Sequence, residues 1–193
     1  MAKKNVIVFL AEGFETIEAL TPVDYLRRAK AEVVTCSWNN KYEVTSAQKV
    51  TVFADQLIAD LSQDQIAQAD LIVIPGGQPG ANNLKATIEV ISALQQVFEQ
   101  GGLVSAICAG PLVLAEAGLL NGKRFTCYPG VEDSIKDGQH ENKLVVRDGN
   151  VITAKGPGAA MDFSLELIGS LLDKRISDLI AETTFSNESL KSY

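Results

Sequence analysis

Cys108 is the residue whose type and setting point most directly to chemistry. A short apolar run, 103–107, ends at this cysteine, small residues follow, and Pro111 opens an apolar segment with helical spacing. This pattern predicts a buried strand, a tight turn and a helix whose first turn accepts proline. Such a turn lifts its side chain above the sheet, and the helix N-terminus favours a thiolate. The alternative is an inert cysteine that acts as a small buried hydrophobe.

Two other segments carry groups that could serve such a cysteine. Glu15 and Glu18 fall in the first turns of a predicted helix, where the dipole favours carboxylates, although solvated charge is the commoner role. Pro75, Gly76 and Gly77 close a buried apolar strand. The glycines allow close approach of a ligand and leave N–H groups free to bind an anion, whereas the alternative is an ordinary turn.

Composition limits the classes of function. The chain has 193 residues, 46% of them hydrophobic, and predicts one domain over 1–193 with a polar tail from about residue 186 that we expect to fray. A net charge of -7 argues against binding to nucleic acid. No apolar run approaches the ~18 residues that would cross a bilayer, so we expect no membrane partner.

The cysteine and histidine content argues against a metal site and against a disulfide framework. Three cysteines, Cys36, Cys108 and Cys127, form an odd set without metal-ligand spacing. The single histidine, His140, excludes a histidine-rich metal site. We therefore expect no metal, no disulfide framework and, because the N-terminus has no cleavage-site pattern, a reduced cytoplasmic location.

Strands and helices alternate along the chain. Strands are predicted at 5–10, 32–37, 70–74, 103–107 and 125–129, with a surface pair at 42–45 and 49–53 and a hairpin at 144–153. Helices are predicted through Ile17, Leu20, Val23 and Leu26, and at 64–67, 87–100, 111–118, 161–172 and 176–184. This order predicts an α/β fold with a mostly parallel sheet and helices on both faces. Ligands bind beyond the carboxyl ends of such strands, so the 14–18 loop, Gly76–Gly77 and Cys108 should share one crevice.

Four segments resemble one known family. Ala-Glu-Gly-Phe-Glu-Thr-Ile-Glu at 11–18, Pro-Gly-Gly at 75–77, Ala-Ile-Cys-Ala-Gly-Pro at 106–111 and Lys-Gly-Pro-Gly at 155–158 are similar to the ThiJ/PfpI family of the class I glutamine amidotransferase-like superfamily. The branch is that of the Parkinsonism-associated deglycase and its bacterial ThiJ-like relatives, and the match runs from Asn5 to about Leu172. The resemblance implies a flavodoxin-like three-layer sandwich, a homodimer and chemistry without a cofactor.

The resemblance also implies roles for particular residues. Cys108 would be the reactive cysteine and Glu18 the carboxylic acid that hydrogen-bonds it. The amides of Gly77 and Ala109, next to Gly76, would hold an anionic oxygen. A carboxyl in a dry pocket resists ionisation, so Glu18 could donate a hydrogen bond to a thiolate or a sulfinate.

This chain departs from the family at two positions. Related enzymes have a histidine where Tyr128 stands, and the peptidase-like members have one where Ala109 follows the cysteine. The Cys–His pair of nucleophilic catalysis is therefore missing, and peptidase activity is not expected. Tyr128 could donate a hydrogen bond at the substrate site, but a phenol holds its proton near neutral pH. His140, in a polar loop, and Lys155 are predicted to be surface residues.

Two functions remain open. In the first, Cys108 adds to the aldehyde of methylglyoxal or of a glycated adduct, as in a cofactor-independent glyoxalase or deglycase, with Glu18 moving the proton. In the second, Cys108 is the centre of a non-enzymatic redox sensor or a holdase-like stress chaperone. Involvement in thiazole metabolism rests on the naming of the family alone.

Overall fold

A seven-stranded sheet is the centre of the computed structural model, which describes residues 3–186. In chain order the strands are β1 Asn5–Leu10, β2 Glu32–Ser37, β3 Glu43–Thr45, β4 Thr51–Phe53, β5 Gln56–Leu57, β6 Leu71–Ile74, β7 Leu103–Ile107, β8 Arg124–Phe125, β9 Gln139–His140, β10 Val145–Asp148 and β11 Val151–Ala154. The helices are α1 Thr16–Arg28, α2 Gln63–Ala67, α3 Gly80–Lys85, α4 Ile88–Glu99, α5 Pro111–Glu116, α6 Ala160–Leu171 and α7 Lys174–Thr183. Short 3-10 turns lie at Ile58–Asp60, Glu132–Ser134 and Pro157–Ala159.

The topology brings the carboxyl ends of three strands together. The sheet order is β10, β11, β7, β6, β1, β2, β5, and every neighbouring pair except β10–β11 is parallel. The chain moves from β1 to β2 on one side and later returns to β6 on the other. This reversal opens a crevice at the carboxyl ends of β1 and β6, where ligands bind in such sheets. The loop after β7 lies next to it.

Two apolar layers cover the sheet, as the strand sequences predict. Successive side chains of a strand point to opposite faces. Ile7 and Phe9 of β1 therefore join the core under α4 and α5, whereas Val8 and Leu10 join the core under α1 and α6. Parallel strands that are covered on both faces are continuously apolar, which accounts for β1 and β6. The predicted three-layer α/β architecture is confirmed.

Most predicted elements are present, with ends that differ by a few residues. The surface pair is β3–β4 and the hairpin is β10–β11. The predicted strand at 125–129 is wrong beyond Phe125, because the amide of Thr126 donates to the Thr153 hydroxyl instead of a strand carbonyl. Ile17 is 48% exposed and so does not belong to the buried face of α1.

Two further expectations concern the C-terminal tail and membrane-spanning helices. The tail beyond residue 186 lies outside the described residues. Within residues 3–186, no helix combines the length and the apolar character that crossing a membrane requires.

The layer between α6 and the sheet gives a stability prediction. Phe163 is fully buried, whereas Met161 on the same helix is 40% exposed. We expect Phe163→Ala to lower the free energy of unfolding by about 3–5 kcal/mol, because it leaves a cavity that the neighbours fill only in part. The matched control Met161→Ala should change it by less than about 1 kcal/mol. Denaturant unfolding measures both, and equal losses would contradict this packing.

Candidate active site

Cys108 occupies a strained turn directly after β7. Its φ is 64°, in the left-handed region that costs a residue other than glycine roughly 1–3 kcal/mol. Two backbone hydrogen bonds hold it there: its N–H donates to Ala154 O at 3.0 Å, and its C=O accepts from the Tyr128 N–H at 2.9 Å. The turn therefore keeps the sulfur in a fixed position above the end of the sheet.

Glycine is required where the chain passes close to the elbow. A Cβ on Gly76 would lie 2.6 Å from the Cβ of Cys108 and 2.6 Å from Glu18 Oε2. A Cβ on Gly110 would lie 2.6 Å from the carbonyl oxygen of Ile74. A side chain at position 76 would push the cysteine away from the carboxyl, and one at position 110 would collide with the backbone at the end of β6. Gly76 thus lets the chain pass close to Cys108 and Glu18, whereas the predicted close approach of a ligand stays a prediction.

Glu18 points into the protein and not into solvent. Its side chain is fully buried, and Oε2 accepts the N–H of Gly76 at 3.0 Å. Its other oxygen, Oε1, is buried and has no hydrogen-bond partner to N or O in the described part of the chain. A buried oxygen without a donor is costly as an anion, and it is better accommodated when the carboxyl carries a proton.

The electrostatics of Glu18 follow from that position. Burial raises the pKa of Glu18 to about 7, and the charge of nearby Glu15 raises it as well, while hydrogen bonds with Cys108 and the Gly76 amide oppose the rise. The carboxyl therefore exchanges its proton near neutral pH. This is the range in which a general acid or base works best.

The thiol of Cys108 is not activated by its surroundings in the resting state. Burial raises its pKa to about 12, and the charge and hydrogen bond of Glu18 raise it further, against the amides of Ala109 and Gly77. The prediction that the helix N-terminus favours a thiolate is therefore wrong here. Desolvation and the Glu18 carboxyl raise the pKa of Cys108 by more than the amides of Ala109 and Gly77 lower it.

Exposure and partners set Cys108 apart from the other two cysteines. Cys36 and Cys127 are buried, whereas Cys108 is half-buried. Burial likewise raises the pKa of Cys36 and of Cys127 to about 12. Access to solvent, the Glu18 carboxyl and the amides of Gly77 and Ala109 are thus what Cys108 has and the other two lack.

The remaining candidate residues lie at the edge of this group. Tyr128 is 51% exposed, and its ring lies beside Gly156, where an added Cβ would be 3.3 Å from Cδ2. His140 is exposed, and its ring packs against Phe125 with centroids 5.6 Å apart. Lys155 donates to the Asn142 side chain at 2.5 Å. Of these, Tyr128 is tied to the elbow, through its amide.

Glu15, which the sequence placed beside Glu18 at the start of the helix, has a supporting role in the site. It is the N-cap of α1, and its carboxylate accepts the Glu18 amide at 2.8 Å. Its own amide donates to the Gly76 carbonyl at 2.9 Å. Glu15 thereby fixes the first turn of α1 against the glycine loop and adds a charge that raises the pKa of Glu18. The sequence signal for this role is that Glu15 stands three residues before Glu18. At this spacing an N-cap side chain accepts the amide of the N3 residue.

These features agree with a known family. A model of the DJ-1/PfpI family matches residues 4–170. The chain belongs to the DJ-1/PfpI family. The match includes the glycine loop, the buried carboxyl and the cysteine elbow, and it confirms the family resemblance seen in the sequence.

Individual members of the DJ-1/PfpI family show how far the similarity extends. Protein DJ-1 homolog A of Arabidopsis thaliana is 40% identical over 165 residues, which cover 85% of this chain and 41% of that protein. The chain therefore spans about two fifths of the length of that relative. Glutathione-independent glyoxalase DJR-1.2 of Caenorhabditis elegans is 32% identical over 174 residues, which cover 88% of this chain and 90% of that protein.

A solved structure supports the fold assignment within the DJ-1/PfpI family. The structure of oxidized DJ-1 from Toxoplasma gondii has a TM-score of 0.90 and 35% sequence identity. It covers 94% of this chain and 98% of the other. The flavodoxin-like fold that the sequence resemblance implied is therefore confirmed.

The raised pKa of Glu18 makes a prediction about stability. The native state holds this proton more tightly than the unfolded chain, so the resulting stability is complete below pH 4.5 and is lost as pH rises through about 7. In the parent protein, we expect the free energy of unfolding to fall by an amount on the order of 3 kcal/mol between about pH 5 and about pH 8. Glu18→Gln can keep the Gly76 hydrogen bond and should remove this fall, because it has no proton to lose. Denaturant unfolding at both pH values measures it.

The control is a carboxylate on the surface. Glu89 is exposed in the first turn of α4, and Glu89→Gln should leave the pH dependence as it is in the parent protein. If Glu18→Gln also leaves it unchanged, Glu18 ionises normally and the carboxyl is not held in a dry pocket.

Proposed function

We propose that this protein is a cofactor-independent glyoxalase or deglycase that acts on methylglyoxal or on related glycated adducts and releases a hydroxy acid. The observation that carries the proposal is the pairing of a half-buried cysteine with a buried carboxyl whose pKa is about 7. A nucleophile and an acid–base group with that pKa are what an internal redox reaction of a 2-oxoaldehyde requires.

The first step would be addition to the aldehyde. The sulfur of Cys108 attacks the aldehyde carbon, and the thiol proton passes to the Glu18 carboxylate. Glu18 then gives this proton to the oxygen of the former aldehyde, and a hemithioacetal results. The amides of Gly77 and Ala109, which already point at the sulfur, are suited to hold that oxygen while it is negative.

The second stage would move hydrogen between neighbouring carbons. The Glu18 carboxylate takes the proton from the former aldehyde carbon and returns it to the adjacent carbonyl carbon. The hydroxyl proton on the first carbon passes to the oxygen of the second through the enediol. The first carbon becomes a thioester and the second an alcohol, so one carbon is oxidised and the other reduced without an external oxidant. Water adds to the thioester carbon, the C–S bond breaks, and the sulfur regains its proton.

The surroundings of the pair support this scheme. Gly76 anchors Glu18 through Oε2, which leaves Oε1 free for the moving proton. Tyr128 is exposed at the edge of the group, and its hydroxyl is proposed to bind the carbonyl substrate. The name of the Caenorhabditis elegans relative, a glutathione-independent glyoxalase, lends further support. The homodimer and the cytoplasmic location stay predictions.

Lactate formation from methylglyoxal tests the proposal. We expect the parent protein to form lactate without added cofactor and Cys108→Ser to form none, because the hydroxyl cannot replace the thiolate nucleophile. Glu18→Gln should lower the rate by roughly a hundredfold or more, because proton transfer is lost. Enzymatic detection of lactate in a coupled assay measures all three.

Cys36→Ser is the matched control, because it removes a buried thiol in the core layer on the opposite face of the sheet from α1 and should keep full activity. Lactate formation that survives in Cys108→Ser would refute the mechanism. Absence of lactate from the correctly folded parent protein would refute the function.

A second candidate function uses the same residues for redox sensing. The amides of Gly77 and Ala109 and a protonated Glu18 are suited to hold the oxygens of a sulfinate on Cys108. Two molecules of peroxide would each transfer one oxygen to the sulfur and leave as water, with release of the thiol proton. A DJ-1 structure from Toxoplasma gondii described as oxidized favours this candidate.

Mild peroxide treatment separates this candidate from simple oxidative damage. We expect Cys108 alone to gain two oxygen atoms, because Cys36 and Cys127 are buried, and Glu18→Ala to shift the product towards the fully oxidised sulfonate. Peptide mass spectrometry measures the oxygen count at each cysteine. Equal oxidation of all three cysteines would count against a sensor.

A further inference from the structure

A second group of chemically capable side chains lies beside the elbow and outside the Glu18–Cys108 pair. Cys127, Glu132 and His140 each present one ligand atom, and these atoms all lie within 4.8 Å of one another. The Cys127 thiol donates to Glu132 Oε2, with the two atoms 3.6 Å apart. Sulfur, carboxylate oxygen and imidazole nitrogen together are the donor set of zinc sites.

The fold fixes two of these residues from separate segments. The pairing of β8 with β9 places His140 opposite Phe125, and the two rings pack together. Cys127 follows two residues after Phe125, so the pairing also sets the sulfur close to the imidazole. Strand pairing, and not a short spacing in the sequence, brings Cys127 and His140 together. The spacing of cysteine and histidine therefore predicted no metal site.

Glu132 is held in place as well. It begins the 3-10 turn Glu132–Ser134, and its Oε2 accepts the Gly130 amide at 2.7 Å. Among residues 3–186, no lysine or arginine forms an ion pair with this carboxylate. A fixed carboxylate that faces a thiol and an imidazole, without a lysine or arginine in an ion pair, can help to balance the charge of a bound cation.

We propose that Cys127, Glu132 and His140 bind one divalent transition-metal ion of the Zn²⁺ type, with a fourth position open to water. On binding, the Cys127 thiol proton leaves to solvent and the sulfur bonds the metal instead of donating to Glu132. The thiolate and the carboxylate then balance the two positive charges of the ion. A sulfur and an imidazole ligand favour zinc over the hard ions magnesium and calcium.

The geometry needs little adjustment to reach coordination. Zinc bonds of about 2.0–2.3 Å in a tetrahedral site put ligand atoms roughly 3.2–3.8 Å apart. The Cys127–Glu132 separation of 3.6 Å already falls in that range. His140 is exposed, so a small shift of its ring along Phe125 would close the remaining gap.

Such a site would be coupled to the elbow by the backbone. Tyr128 follows Cys127, and its amide donates to the Cys108 carbonyl at 2.9 Å. A metal that fixes Cys127 would therefore also fix the segment that holds Cys108 in its left-handed conformation. The expected role is to stabilise this segment, since an ion that binds only the native state raises its stability.

Cobalt titration of the metal-free protein tests the proposal. Co²⁺ on a thiolate gives a charge-transfer band in the near ultraviolet, and we expect it to saturate at one ion per chain. Zn²⁺ should displace it and Mg²⁺ should not. Cys127→Ser should abolish the band, whereas Cys108→Ser should keep it, which separates this site from the thiol and carboxyl of the candidate active site.

Two variants keep the test decisive if the buried change Cys127→Ser does not fold. His140→Asn and Glu132→Gln alter exposed or half-buried side chains and should weaken Co²⁺ binding at least tenfold or so, with the far-ultraviolet spectrum unchanged. The proposal is wrong if no band forms, if the band persists in folded Cys127→Ser, if it disappears in Cys108→Ser, or if His140→Asn and Glu132→Gln bind as tightly as the parent protein.

Discussion

The burial of one carboxyl beside one thiol governs the electrostatics of the candidate active site. Glu18 is fully buried on the first turns of α1, while Cys108 stands at the end of β7, and Gly76 is the short bridge between them. Because the carboxyl and the sulfur share a dry space, they do not readily ionise together. When one of the two groups is ionised, the other keeps its proton. Proton transfer between them is therefore the natural reaction of the site.

The fold was readable from the sequence because its strongest signals are local. The apolar runs of β1 and β6 are strands covered on both faces. The residues around Cys108 predicted a sharp strand-to-helix turn, and the structure has one there. The predicted strand at 125–129 failed for a non-local reason. The amide of Thr126 donates to the side chain of Thr153, and no residue close to Thr126 in the sequence indicates that partner.

The acidity of Cys108 was the part of the site that the sequence could not give correctly. A helix N-terminus is visible as a pattern, and its effect on a thiol has a known sign. The depth of burial and the direction in which Glu18 points depend on packing between distant elements. Those two quantities decide the pKa, and they raise it to about 12. The role of Glu15 was open for the same reason, since its N-cap contact with Glu18 and a solvated surface charge are both compatible with its place in the sequence.

This arrangement also changes what activation of Cys108 requires. A thiol with a raised pKa reacts only when its proton has a nearby acceptor at the moment of attack, and Glu18 with a pKa of about 7 is such an acceptor when ionised. The missing histidine at Tyr128 is then less damaging than the sequence suggested, because the base can be the carboxyl itself. A substrate that presents its carbonyl to the Gly77 and Ala109 amides would be attacked as the proton moves to Glu18. The strained turn contributes by holding the sulfur where that proton path is short.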